Sequence, residues 1–319
     1  MPPNPNQIPK TKNISPLLAD FSLLMVALSW GATFTIVKTA IEDLPPFPFL
    51  AIRFALAFLT LAPFLWLKRQ AINKKTALKG LLLGFFLFAG YATQTIGLQY
   101  TTASNAGFIT GLSIVIVPLL VAIHQRKLPP KAITAGALTA TIGLALLSIG
   151  DNFSVNSGDP IVLTCAFFYA LHIFFVGRFA PGLDATVLTA FQLLMASALN
   201  GVCTLLFPQP QFAFTPYVWF GLFITAVFCT SLAFLIQTKM QQFTSASHTA
   251  IIFAAEPVFA ALFAFLLAGE LLSLRGYIGA ALVLAGILLA ELSSIKKNPL
   301  PKPQAAAKLE GANQRKAKA

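Results

Sequence analysis

The run GLLLGFFLFAGYATQTIGLQYTTASNAGFITGLSIVIVPLLVAIHQ, at residues 80–125, decides the fold because it contains no aspartate, glutamate, lysine or arginine. A helix needs about 20 apolar residues to cross a bilayer, so this run accommodates two crossings with a hinge near Gln99–Thr102. Of the 319 residues, 57% are hydrophobic and only 10% are charged, which excludes a soluble domain. We therefore expect an all-α, polytopic membrane protein.

Part of this run occurs a second time in the chain. A shift of 143 residues superposes identical residues, and a shift of 139 does the same for earlier positions, where Trp30 falls on Tyr169. The positions matched by the first shift are Gln99, Thr101, Ala103, Ser104, Ile109, Gly136, Ala137, Gly143 and Leu146, which meet Gln242, Thr244, Ala246, Ser247, Ile252, Gly279, Ala280, Gly286 and Leu289. Many secondary transporters build a central site from two such copies.

Charge-free runs predict ten transmembrane helices, five in each repeat. The repeats cover residues 18–150 and 157–293, between an N-terminal cytoplasmic segment (1–17) and a disordered basic cytoplasmic tail (294–319). With the N-terminus in the cytoplasm, all but three of the 22 lysines and arginines lie in the cytoplasmic segments, so the positive-inside rule places both termini there. Because five is odd, the second repeat starts on the other side and the two repeats are inverted.

Two charged residues inside predicted spans are the main candidates for a substrate site. Glu256 precedes Pro257 near the middle of the ninth span, and the proline loosens the helix by removing one backbone hydrogen bond. This carboxyl either carries a proton or binds a cationic group, or it accepts hydrogen bonds from neighbouring helices. Arg53, whose repeat mate is the neutral Gln192, fits capping or a salt bridge at the outer rim and contact with a substrate carboxylate equally well.

Six further residues are candidates for the same site and are expected to face one central cavity. They are Trp30, Thr95, Asn105, Thr110, Tyr169 and His248. The rings of Trp30 and Tyr169 either line a cavity or pack against lipid and core, while Asn105 and His248 either bind substrate or cap their helices. His172 is interpreted as a satisfied core imidazole. The three histidines have no metal-ligand spacing and the three cysteines fit buried apolar positions, so no metal or cofactor is expected.

Short motifs in both halves resemble the EamA family of the drug/metabolite transporter superfamily. They are Trp30-Gly31-Ala32-Thr33-Phe34, Arg53-Phe54, Thr101-Thr102-Ala103-Ser104-Asn105, Ala254-Ala255-Glu256-Pro257 and Gly269-Glu270-Leu271-Leu272. The resemblance covers about residues 18–293 and implies that helices one to four and six to nine surround a central cavity, with helices five and ten apart. The chain departs from the family pattern at His124-Gln-Arg-Lys127, which stands where the second repeat has Gly269-Glu270.

The resemblance implies a multi-pass transporter of the inner (plasma) membrane that exports a small metabolite such as an amino acid, in some members by proton exchange. The expected partners are therefore the lipid bilayer, a small-molecule substrate and protons as the coupling ion, and not nucleic acid. A polytopic enzyme acting on a lipid-linked substrate and a non-transporting membrane scaffold are the alternatives. An enzyme would need an acid–base or metal cluster at one membrane face, and the sequence contains none.

Overall fold

The computed structural model describes residues 14–148, 156–207, 213–268 and 273–297, and within these ranges it contains helices and turns but no β-strand. Eight helical segments are long and apolar enough to cross a membrane: Leu17–Asp43, Pro46–Leu67, Lys74–Leu98, Asn105–Gln125, Asp159–Phe179, Ala185–Leu206, Pro216–Met240 and Ala246–Phe263. Two shorter apolar helices, Lys131–Leu147 and Leu274–Ala290, stand where the fifth and tenth spans were predicted. The all-α membrane architecture is confirmed, and ten crossings remain a prediction.

Several of these segments consist of two helices in sequence. The helices of the first half are α1 (Pro16–Gly31), α2 (Thr33–Asp43), α3 (Pro46–Leu67), α4 (Lys74–Leu98), α5 (Ala103–Gly111), α6 (Ser113–Gln125) and α7 (Lys131–Ser148). Those of the second half are α8 (Asp159–Phe179), α9 (Ala185–Leu206), α10 (Pro216–Ala226), α11 (Ala233–Met240), α12 (Ala246–Phe253), α13 (Glu256–Ala268) and α14 (Leu274–Lys297). A 3-10 turn, Arg69–Ala71, follows α3, and a π-helical turn, Val227–Leu232, joins α10 to α11.

The last described helix ends close to the predicted C-terminal boundary. The tail stays predicted from residue 294, and α14 continues to Lys297 because no proline or glycine interrupts the helix between 293 and 297. The next proline after the start of α14 is Pro299, beyond the helix end. Residues 1–13 and 298–319, which carry most of the predicted N-terminal segment and tail, lie outside the described residues, and so does the Gly269-Glu270-Leu271-Leu272 motif.

The two short helices α5 and α12 begin in the same way. The Thr102 hydroxyl accepts a hydrogen bond from the Asn105 backbone N–H at 3.0 Å, and the Ser245 hydroxyl accepts one from the His248 backbone N–H at 3.2 Å. The two capping residues have φ of −80° and ψ of 155° and 153°. Such caps satisfy donors that the first helical turn leaves unpaired. Because these positions are related by the shift of 143, the two copies share local geometry as well as sequence.

Three of the long segments are broken part-way along. The breaks lie at Ala32 between α1 and α2, at Leu112 between α5 and α6, and at Ala254–Ala255 between α12 and α13. The second and third are again related by the shift of 143. A broken helix at membrane depth is tolerated where its freed backbone groups are buried in protein or line a cavity. The breaks therefore point to the interior of the bundle as the place of a site.

Helices α7 and α14 pack against each other through glycines. A Cβ on Gly136 would lie 2.6 Å from the Gly286 carbonyl oxygen, and one on Gly286 would lie equally close to the Gly136 oxygen. Gly143 and Gly279 show the same reciprocal 2.6 Å contact. The pairing of 136 with 286 and of 143 with 279 means that the helices run antiparallel. Small residues at these crossings let the backbones approach closely, as is common between membrane helices.

Candidate substrate cavity

A cavity lies between the two halves of the chain. Both halves supply its wall, and most of the wall is apolar. Residues beside two of the helix breaks, Gly111 and Ala254, belong to this wall, so the broken helices do border an internal space. Its mixed lining, apolar with a few polar groups, suits a small organic molecule.

Aromatic rings form a large part of the wall. Trp30 lies 4.8 Å from Phe253 and 5.4 Å from Phe234 between ring centroids, and Tyr91 lies 5.4 Å from Tyr169. The Trp30 indole N–H donates a hydrogen bond of 2.8 Å to the Cys229 carbonyl oxygen, which fixes the orientation of the ring. Rings held in this way offer flat apolar surfaces to a ligand and attract cations at their faces.

Arg53 lines this cavity and is only 2% exposed. Its Nε–H donates a hydrogen bond of 2.8 Å to the Thr230 hydroxyl, and its guanidinium carbon lies 4.8 Å from the Tyr91 ring centroid. Thr230 belongs to the π-helical turn, which thus helps to position the guanidinium. Neither ion pair found among the described residues includes Arg53. The guanidinium retains N–H donors for a ligand.

Glu256 is the first residue of α13, directly after a helix break, and its half-buried side chain also lines the cavity. Within the part of the chain that the structure describes, no donor forms a hydrogen bond with its carboxyl group. The alternative in which neighbouring helices satisfy this carboxyl is therefore not what the structure shows. A carboxyl group without a protein partner in an apolar wall is available to a proton or a cationic ligand.

His172 lines the cavity as well, although it was interpreted as a core residue. Its Nε2 lies 2.8 Å from the Gln192 Oε1, and the Gln192 Nε2 donates a hydrogen bond of 3.4 Å to the Thr238 hydroxyl. Because an amide oxygen only accepts, Nε2 of His172 carries the proton in this contact. The interpretation as a satisfied imidazole holds for Nε2, but the cavity position was not foreseen.

The structure brings together six of the eight residues proposed as site residues. Trp30, Arg53, Thr95, Thr110, Tyr169 and Glu256 all line the cavity. Asn105 and His248 are not among the residues that line it, and their part in a site stays a prediction. Both belong to the first turn of their short helices, α5 and α12, where their backbone N–H groups are capped, and the opposite ends of these helices reach the cavity. Whether the six contact a substrate stays a prediction.

His248 instead meets an acidic residue of the other half. Its Nδ1 lies 3.6 Å from the Asp20 carboxylate of α1 and 3.3 Å from the Thr244 hydroxyl. The shift of 139 pairs Asp20 with Asp159 of α8. The Asp159 carboxylate accepts a hydrogen bond from the Thr101 hydroxyl, just before α5. Each half therefore places an aspartate at the N-terminal end of a short helix in the other half, where negative charge is favourable.

Sequence reasoning missed several uncharged residues of the wall. Gln94 and Gln237 both line the cavity and are related by the shift of 143, and Ser113 is related in the same way to Glu256. Thr33 and His172 form a further pair under the shift of 139. The repeat could have found Ser113, since its mate Glu256 was already a candidate, but both members of the other two pairs were missed. Among the described residues, no three His, Cys, Asp or Glu side chains are grouped as a metal site would require.

Comparison with known proteins places these features in a family. Residues 17–149 and 156–292 each match the model of the EamA-like transporter family. An uncharacterized transporter of Archaeoglobus fulgidus is 34% identical over 281 residues, which are 88% of this chain and 88% of the relative. The uncharacterized inner membrane transporter YicL of Salmonella typhimurium is 26% identical over 296 residues, 86% of this chain and 96% of the relative.

The fold is also shared with a solved structure. A protein known from a crystal structure superposes with a TM-score of 0.74, covering 89% of this chain and 98% of that one. The two sequences are only 19% identical, so the likeness concerns the fold alone.

Proposed function

The chain belongs to the EamA-like transporter family, and on that premise we propose that it exports a small amphipathic metabolite, such as an amino acid, across the inner (plasma) membrane. The observation that carries this proposal is the cavity between the two halves, whose wall combines aromatic rings with the buried Arg53 and the unpartnered Glu256. A guanidinium suits a carboxylate, a carboxylate suits an ammonium group, and the rings suit an apolar side chain.

Alternating access is proposed as the mechanism, with the two halves acting as inverted repeats. The reciprocal glycine contacts of α7 with α14 support it, since a two-fold relation requires such reciprocity. The contacts of Asp20 with His248 and of Asp159 with Thr101 support it further, because each joins the two halves at an equivalent place. Opening one contact while the other stays closed would expose the cavity to one side at a time.

Proton exchange is the coupling that we propose for this cycle. The Glu256 carboxyl lies in a largely apolar wall without a hydrogen-bond donor from the described protein, so protonation removes the cost of an uncompensated charge. Binding of a cationic group would offset the same cost. A proton and an ammonium group thus compete for one carboxylate, which is the basis of exchange.

Flux from proteoliposomes tests the proposal. Purified protein is reconstituted in vesicles loaded with a mixture of radiolabelled amino acids, and efflux is followed with and without an inward proton gradient, with protein-free vesicles as the control. Efflux of at least one amino acid that the gradient accelerates is the expected result. If no efflux is found but a lipid-linked substrate is turned over, the result would favour a polytopic membrane enzyme. If neither efflux nor turnover is found, it would favour a non-transporting membrane scaffold.

A further inference from the structure

We propose that Gln237 is a substrate-binding residue and that, with Glu256, it forms a subsite for a cationic nitrogen such as an ammonium group. The inference rests on the proposed function and names the chemical group that one side of the cavity recognises. Gln237 lies in α11 and Glu256 begins α13, and both side chains belong to the wall of the cavity.

The hydrogen bonds around Gln237 determine which way its amide points. The Gln241 Nε2 donates a hydrogen bond of 3.0 Å to the Ile173 carbonyl oxygen, which only accepts. The Gln241 amide oxygen therefore faces Gln237 and must receive a donor. The Gln237 Nε2 supplies it at 3.0 Å. Reversing the Gln237 amide would place two acceptors against each other, so the network fixes its oxygen on the opposite side.

That oxygen has no hydrogen-bond partner. Gln237 is 1% exposed, and its Oε1 is a buried acceptor without a donor among the described residues. Most buried polar groups in proteins are paired, because an unpaired one loses the hydrogen bonds that water offered. An exception in the wall of a cavity, which also contains the Glu256 carboxyl without a protein donor, is explained if a ligand supplies the missing donor.

The equivalent glutamine of the other half provides the contrast. Gln94 accepts a hydrogen bond from the Tyr169 hydroxyl at 3.2 Å through its Oε1, and its Nε2 donates one to the Thr110 hydroxyl at 3.1 Å. Both polar atoms of Gln94 are thus committed to protein partners. The two repeats share the glutamine but differ in its hydrogen bonds. Of the two side chains, only Gln237, in the second half, has an amide oxygen without a donor among the described residues.

An ammonium group matches the free acceptors best. It has three N–H donors and no acceptor, so it carries enough donors for both the Gln237 oxygen and the Glu256 carboxylate. Phe253, three residues before Glu256, and Trp30 belong to the same wall, and aromatic faces favour cations. The donors that remain on Arg53 come from the first half, where they suit an acidic end of the same substrate.

Binding of three related probes tests the proposal on the purified full-length chain in detergent. All three probes contain a phenyl ring. Phenethylamine carries only an amine, 3-phenylpropionate carries only a carboxylate, and L-phenylalanine carries both. Titration calorimetry should show that the wild type binds the two amine probes more tightly than 3-phenylpropionate. Gln237→Met should weaken both amine probes by about three- to tenfold, as expected for one hydrogen bond, and leave the affinity for 3-phenylpropionate unchanged.

Two further variants separate recognition from folding. Gln94→Met, at the repeat mate, should change the affinities for all three probes by one common factor, because both of its amide atoms serve the protein. Gln237→Glu adds a charge of the sign that an ammonium prefers, and should raise the preference for the amine probes about tenfold. If Gln237→Met does not fold, the proposal is tested by comparing how strongly the wild type and Gln237→Glu prefer the amine probes over 3-phenylpropionate.

The proposal is overturned if Gln237→Met affects all three probes equally or none of them, or if the wild type binds 3-phenylpropionate as tightly as the amines. A role of the Gln237 oxygen in binding structural water alone predicts an altered melting temperature with unaltered probe preference. Failure of the transport proposal would look different. In that case the amine preference would depend on Gln237 while reconstituted vesicles showed no efflux.

Discussion

At the scale of single residues, Glu256 offers the most direct test of ion coupling. Glu256→Gln preserves the shape of the side chain and removes ionisation, so we expect normal insertion in the membrane, loss of efflux driven by a proton gradient, and retained exchange of substrate across the membrane. Efflux and exchange are measured in the same vesicle preparation at two internal pH values. Efflux that still responds to pH as in the wild type would exclude Glu256 as the proton carrier.

A second residue-scale prediction concerns an ion pair beyond the ends of the membrane helices. Burial alone would raise the pKa of Asp184, but the Lys68 ammonium at 2.6 Å and the Val187 and Thr186 backbone N–H groups outweigh it, so this pKa lies below its ordinary value of 3.8. A lowered carboxyl pKa stabilises the fold above the ordinary value, and this stability is lost as pH falls through the lowered one.

Asp184→Asn tests this linkage, because asparagine still caps α9 while removing the charge. The loss of stability at pH 7 should not exceed about 1 kcal/mol, as the Lys68 side chain is 47% exposed and solvent screens the pair. The difference in melting temperature between variant and wild type should shrink as pH falls below 3.8. A difference that does not change with pH would show that capping geometry, and not charge, is responsible.

Residues differ in how well sequence alone revealed them. Arg53 and Glu256 stand out in the sequence because a charge interrupts an apolar run, and both line the cavity. Gln237 and His172 were not recognised as lining residues, since an uncharged polar residue in a span shows neither which face it occupies nor whether it has a partner. Asn105 and His248 lie outside the wall, and the sequence could not decide their role because a residue near a helix start suits a cap and a site equally well.

At the scale of elements, the contact of α7 with α14 should be intolerant of any added side chain. A Cβ on Gly143 would lie 2.6 Å from both the Gly279 oxygen and the Val283 backbone nitrogen, so the helices would have to separate. We expect Gly143→Ala to lower stability by about 1–3 kcal/mol, the range for overpacked interiors. The measurement is the melting temperature of the purified protein in detergent.

Gly201 of α9 is the matched control, because nothing lies within 4 Å of a Cβ built there. Gly201→Ala should be neutral or stabilise by up to about 1 kcal/mol, through the higher helix propensity of alanine. Equal effects of the two substitutions would mean that helix propensity, and not the approach of the backbones, governs the glycine contact.

Elements were predicted more completely than the breaks inside them. Charge-free runs located each long segment, and Glu256-Pro257 indicated the break before α13. The breaks at Ala32 and Leu112 each follow a glycine, Gly31 and Gly111, and no proline stands beside either of them. Glycine weakens a helix without necessarily ending it, so the sequence marks these two positions less clearly than Glu256-Pro257 marks the third.

At the scale of the whole molecule, the positive-inside count predicts orientation. A reporter domain fused after Ala319 should lie in the cytoplasm, and one inserted near Asn156 should lie outside the cell. Paired reporters, one active only inside and one only outside the cytoplasm, measure both positions. The opposite pattern at either position would contradict the odd number of crossings per repeat and, with it, the inverted relation of the two halves.

The cavity wall has a further consequence, for the response to membrane voltage. With Glu256 ionised, its negative charge and the positive charge of Arg53 cancel, and a zwitterion adds no net charge to the cavity. Exchange of one zwitterion leaving for one proton entering therefore moves one elementary charge inward per cycle. A potential of 100 mV, negative inside, would supply about 2.3 kcal/mol to export. Vesicles clamped with potassium and valinomycin should export faster when negative inside, and Glu256→Gln should abolish this dependence. Export driven by pH but indifferent to voltage would require a second charge to move with the substrate.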